Sequence, residues 1–155
     1  MKKFIQQKLK DQKGMTLIEL LAVIVIIAII AAIAIPAIGN IIENSRVGAM
    51  KADATNVLSA ANLYEVDGNT PATAGTVLIS ELVTAGYLDD AGEIPVASTV
   101  DLVNNTIDAT ATRGGLSVDF NDADNAAVNS MPNNQTGTYT PTTGNGVGTI
   151  AVTRN

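Results

Sequence analysis

Residues 13–40 read KGMTLIELLAVIVIIAIIAAIAIPAIGN. From Leu20 to Ile38, nineteen residues in a row carry no charged or hydrogen-bonding side chain. As a helix that run spans roughly 28 Å, close to the hydrocarbon thickness of a bilayer. It is apolar on every side, as suits a helix facing lipid or buried in a bundle. One carboxylate, Glu19, stands at the start of the run. A carboxylate at mid-membrane costs roughly 2.5–3.5 kcal/mol on insertion scales and less near the interface. Glu19 therefore calls for a partner.

Charge is distributed unevenly around this run. Residues 1–14 hold five lysines (Lys2, Lys3, Lys8, Lys10 and Lys13) against Asp11. The remaining chain holds four basic residues against fourteen acidic ones, within a net charge of −6. A basic head, an apolar run and an acidic body fit a single-pass plasma-membrane protein with a cytoplasmic N-terminus and an extracytoplasmic body. An acidic body repels nucleic acid, and no direct nucleic-acid site is evident. The chain has no Cys and no His, which removes thiolate chemistry and the commonest general base. No Gly-rich phosphate loop follows a strand, so neither enzymatic activity nor a cofactor is expected.

Past Asn40 the periodicity changes. Val47, Met50, Ala54, Val57, Ala61 and Tyr64 fall at alternating spacings of three and four, one apolar stripe on an amphipathic helix. Asp67-Gly68-Asn69 supplies a stop, with Gly68 suited to the left-handed position beyond the last turn. In VLISELVTAGYL, Ile79, Leu82 and Val83 share a helix face that ends near Gly86. Period-two runs follow: Val100 and Leu102, Ile107, then Leu116, Val118 and Phe120, and finally Val147, Ile150 and Val152. Asn104-Asn105 and Gly114-Gly115 between such runs signal hairpins. Residues 121–146, rich in Asn, Thr, Gly, Asp and Pro, read as a long loop. The fold class is α+β: a long N-terminal helix with an apolar first half, and a small antiparallel sheet packed on its second half. The aromatics beyond residue 66 are few, so this head is expected to rest on the Val47–Tyr64 stripe.

Three readings compete for residues 1–42. A secretory signal peptide with a cut near Ala32-Ile33-Ala34 would need an apolar core of about 7–15 residues, shorter than this one. A plain anchor leaves Glu19 unexplained. The third rests on the ordered set of leader lysines, Gly14, Met15, Thr16, Leu17, Ile18 and Glu19, the unbroken apolar run, and Pro36. That set resembles the N-terminus of type IV prepilins and pseudopilins. Met15 stands where phenylalanine is common. LVTAGYL, Leu82–Leu88, also looks like a segment that follows the long helix in many members.

The resemblance implies four segments. Residues 1–14 form a leader that prepilin peptidase removes by cutting between Gly14 and Met15, and the new amine of Met15 is methylated. Residues 15–39 form the transmembrane and filament-core helix. Residues 40–66 form the amphipathic helix of the head, and residues 67–155 the rest of that head. Glu19 is implied to pair with the freed Met15 amine of a neighbouring subunit. Pro36 and Gly39 are implied to form a weak point in the helix. Implied partners are further copies of the chain, the prepilin peptidase and methylase, an inner-membrane assembly platform with its ATPase, minor pilins, and membrane lipid before assembly. The implied product is a surface filament; the alternative is a pseudopilin of a type II secretion or DNA-uptake machine. In DFNDADN, Asp119, Asp122 and Asp124 are calcium candidates, since some pseudopilins bind calcium in a C-terminal loop. EF-hand spacing is absent, no metal is expected, and a solvated acidic turn is the default reading.

Overall fold

The computed structural model describes residues 16–141 and 147–154. The chain is α+β: a long N-terminal helix precedes a six-stranded antiparallel sheet, and the helix packs on that sheet. Helix α1 spans Leu17–Val66. It is followed by β1 (Thr76–Leu78), α2 (Ile79–Thr84), β2 (Thr99–Asp101) and β3 (Thr106–Arg113). Next come β4 (Leu116–Asp124), α3 (Asn125–Ser130), β5 (Gly137–Tyr139) and β6 (Thr149–Arg154). Strand order across the sheet is β1-β2-β3-β4-β6-β5. The fold divides into two units, the first ending at Asn40 and the second covering Ile41–Asn155.

In the second unit, all six residues of the expected stripe are buried, and Leu58 and Ala60 join them. The two extra positions widen the stripe because the helix lies on a sheet, which presents a broader surface than a single partner helix. Each large apolar side chain buried there contributes about 1.5–3 kcal/mol. The helix stops where expected. Gly68 has φ 76°, and its N–H reaches Glu65 O at 2.9 Å while Asn69 N–H reaches Tyr64 O at 3.3 Å.

Strand alternation supplies the other side of the core. Leu116, Val118 and Phe120 of β4 are buried, whereas Asp119 on the opposite face accepts a hydrogen bond from Thr110 Oγ1 at 2.6 Å. Such alternation marks a sheet with one dry and one wet face. The β3–β4 connection has two residues, Gly114 at φ 56° and Gly115 at φ 80°, between the paired Arg113 and Leu116. Positive φ at both central positions is the requirement of a tight hairpin turn, and glycine meets it without steric cost. Asn105, φ 51°, plays the left-handed role in the β2–β3 connection.

Two readings of the sequence need correction here. Residues 121–146 are not one long loop. Strand β4 continues to Asp124, α3 occupies Asn125–Ser130 and β5 occupies Gly137–Tyr139. For residues 121–124 the cause is a β-bulge. Pairing shifts between Ile107↔Ala123 and Ala109↔Phe120, and Asp122 takes φ 48°. The extra residue moves the buried set from even positions to Ala123, which hides the period-two pattern from sequence inspection. Gly148, φ 92°, lies so close to the Asp122 carbonyl that a Cβ there would collide with backbone. The second correction concerns Val83 and Val147, which are exposed and not part of the core. The Tyr87 ring is half-buried.

Long-range polar contacts fasten α1 to the head. Arg154 Nη1 pairs with Glu43 at 2.6 Å, and its Nη2 reaches Asn44 Oδ1 at 3.4 Å and Gln135 O at 3.2 Å. Lys51 donates to Met131 O and, at 3.3 Å, to Asn133 Oδ1; burial pulls its pKa below the ordinary lysine value. At the other end of the head, the rings of Tyr64 and Tyr87 meet edge-on with centroids 5.4 Å apart. The Tyr87 hydroxyl donates to Asp67 Oδ2 at 2.7 Å and accepts from Asn69 Nδ2 at 2.8 Å.

Donation to the Asp67 carboxylate pushes the Tyr87 phenol above its ordinary pKa, because the phenolate would lose that bond. A folded-state pKa raised in this way adds stability that is complete below the unfolded value of about 10. That contribution is lost as pH rises through the folded value. Tyr87→Phe is therefore expected to remove one late-titrating phenol from an ultraviolet absorbance titration and to flatten the alkaline fall in head stability. Loss of a phenol that titrates at or below the ordinary tyrosine value would instead contradict the Tyr87–Asp67 bond.

Candidate functional site

The site is built at the start of α1. Thr16 precedes the helix, and its backbone N–H and Oγ1 donate to Glu19 Oε2 at 2.7 and 2.9 Å. In return the backbone N–H of Glu19 donates to Thr16 Oγ1 at 3.3 Å. This reciprocal pair is a capping box, with Thr16 at the N-cap and Glu19 at the third helical position. It satisfies two backbone donors that a helix start otherwise leaves open. The Thr-x-x-Glu spacing was visible in the sequence, and the reading that sought only an intermolecular partner for Glu19 overlooked it. A cut after Gly14 would leave both residues of the box on the mature chain.

Gly14 and Met15, the expected cleavage and methylation positions, lie outside the described residues. Beyond Glu19, the apolar side chains have no protein cover. Leu21 is 52% exposed, Ile24 59%, Ile33 71% and Ile35 70%. This is the one stretch among the described residues long and apolar enough to cross a membrane, and none of it is buried. Pro36 sits inside α1 without ending it, and a Cβ on Gly39 would meet nothing within 4 Å. Within the described residues of this chain, nothing packs closely against Gly39. Glycine there lowers helix propensity through its backbone freedom.

The three calcium candidates are not brought together as ligands. Asp119 is engaged by Thr110 across the strand pair. Asp122 is the bulge residue, and its N–H donates to Asp108 Oδ1 at 2.9 Å. Asp124 caps α3, its Oδ1 accepting from Ala127 N–H at 2.7 Å. Among the described residues no group of three or more acidic side chains is placed to hold a metal. Each of the three therefore has a structural use in the sheet or at a helix end.

Residues 9–35 match the family model described as the prokaryotic N-terminal methylation motif. The match covers well under half of the chain and leaves the head outside it. Neither the curated proteins nor the solved structures gave a match. The matched segment contains Lys10, Lys13 and Gly14 before the expected cleavage position, the capping box and most of the apolar run. Taken with a bare apolar helix that can serve as a membrane anchor, it shows that the chain carries a type IV prepilin-like signal and methylation motif at its N-terminus.

Proposed function

We propose that the chain is a structural pilin subunit, cut after Gly14, methylated at Met15, and polymerised through its apolar helix into a type IV pilus-like surface filament. The observation that carries this reading is the uncovered apolar face from Leu17 to Ile38, most of which lies within the matched methylation motif. Such a surface far exceeds the apolar patches that soluble monomers expose. It needs lipid first and sister helices later.

The chemistry of the cut fits. Removing residues 1–14 deletes five lysines that hold the N-terminus on the cytoplasmic side, and it creates an amine at Met15. Glu19 then faces a cation four residues away in sequence, or the same cation on a neighbouring copy. In an apolar bundle an uncompensated carboxylate is strongly penalised, so pairing across subunits would set their register. The role is structural, and the chain is a substrate of the processing enzyme rather than a catalyst.

Two measurements test the reading together. Mass spectrometry of the native protein is expected to find an N-terminus at methylated Met15; an N-terminus at Met1, or one after Ala34, would reject it. Electron microscopy of sheared cell surfaces, with antibody to the head, is expected to find long labelled filaments. Correct processing without surface filaments would instead favour a pseudopilin of a type II secretion or DNA-uptake machine.

A further inference from the structure

We infer that the head carries a docking groove for anionic phospholipid headgroups, formed where α1 meets the β3–β4 hairpin. Ile41, Ile42, Ser45, Arg46 and Ala49 line it from α1, and Arg113 lines it from the hairpin. Ile41 and Ile42 are 67% and 47% exposed. Arg46 follows Ile42 by about one turn, roughly 5.4 Å of rise, a distance comparable to the thickness of one headgroup layer. The groove thus offers apolar surface beside two guanidinium groups, which is the pattern of an acyl-glycerol backbone beside a phosphate.

The arginines are held for that use. Arg46 Nη1 donates to Gly114 O at 3.1 Å. A Cβ on Gly114 would collide with that guanidinium, so the glycine turn lets it lie against the hairpin. Among the described residues, one of its five donors is spent in this way. Arg113 pairs with Glu93 at 3.2 Å, but its side chain is 54% exposed, and an exposed pair of this kind holds a guanidinium only weakly.

Charge selects the occupant. Residues 41–155 hold thirteen acidic groups and four basic ones, Arg46, Lys51, Arg113 and Arg154. Arg154 is taken by Glu43, and Lys51 by Met131 O and Asn133. A head so acidic is repelled by an anionic bilayer everywhere except where its remaining cations gather, and two of the four line this groove. Phosphate monoanions in the headgroup layer complement them, each arginine near such a surface favouring contact about fivefold. Docking there would hold the head in one orientation before assembly. The inference rests on the membrane-anchored state proposed above.

The test uses the full chain in vesicles of phosphatidylcholine alone, or of phosphatidylcholine and phosphatidylglycerol at about 2:1. Because the chain has no cysteine, Thr112→Cys places a single nitroxide beside the hairpin, read by relaxation from a gadolinium-chelating headgroup lipid. The docked-to-undocked ratio is expected to rise up to about 25-fold with phosphatidylglycerol and to lose that rise in Arg46→Gln/Arg113→Gln. Equal ratios in the two lipids, or a rise kept by the double variant, would overturn the inference. A ratio that follows the protein-to-lipid ratio instead would assign the groove to a second copy of the chain and overturn it too. If circular dichroism shows the double variant unfolded, Arg113→Gln alone must cut the rise several-fold, and an unchanged rise overturns the inference. A chain extracted by alkaline carbonate was never inserted, and that result refutes the anchored state itself.

Discussion

Glu19→Ala is expected to leave cleavage after Gly14 intact and to reduce filament yield on the order of 100-fold or more. The magnitude follows from orphaning one partner of a buried ion pair, about 3–5 kcal/mol for each subunit contact. Loss of the capping box is a competing cause, because alanine also removes the bonds from Thr16 to Glu19 Oε2. A helix cap is worth only about 0.5–2 kcal/mol. Two further variants separate the causes. Glu19→Gln keeps a side chain that can close a capping box and loses the charge; its filament yield is expected to match that of Glu19→Ala. Thr16→Ala keeps the carboxylate and breaks the box, and should assemble at nearly the normal level. Filament yield from sheared cells, measured beside the N-terminal mass, reads all three. Normal assembly of Glu19→Gln would leave capping as the function of Glu19 and end the pairing account.

Phe120→Ala is expected to cost the head about 3–5 kcal/mol, the range for deleting a buried aromatic ring. Phe120 is 1% exposed and is the largest fully buried side chain among the described residues. It stands on the central strand β4, in the same apolar cluster as Val47, Met50, Val57 and Leu58 of α1. A hole there removes contacts from both layers at once. Small domains are stable by only about 5–15 kcal/mol, so this one change removes a large share. By contrast, breaking the exposed Arg113–Glu93 pair should cost about 0–1 kcal/mol. Chemical denaturation of the two variants checks the ranking. A Phe120→Ala head as stable as the parent would show that the sheet does not depend on the helix face for its core.

What could be read directly from the residues were the features with local causes. The apolar run, the stripe from Val47 to Tyr64 and the Gly68 stop each follow from side-chain chemistry at fixed spacing. The Gly114-Gly115 turn was legible for the same reason: a two-residue hairpin needs positive φ twice, and few residues allow it. The capping box belongs to this class as well, since Thr16 and Glu19 are three residues apart.

Only the tertiary structure decided the rest. The bulge at Asp122 exists because β3 and β4 must keep Ile107 and Ala123 on the dry face while the count between them is uneven. That conflict involves two strands and leaves no periodic trace in either alone. It turned the expected loop at residues 121–124 into strand, and Asp119, Asp122 and Asp124 each make a separate hydrogen bond in the sheet or at a helix start. The pairing of Arg154 with Glu43, 111 residues apart, and the seating of Arg46 on Gly114, 68 residues apart, likewise come from chain return. Spacing rules reach a turn or a strand pair, whereas contacts across such distances are set by how the whole sheet closes on the helix.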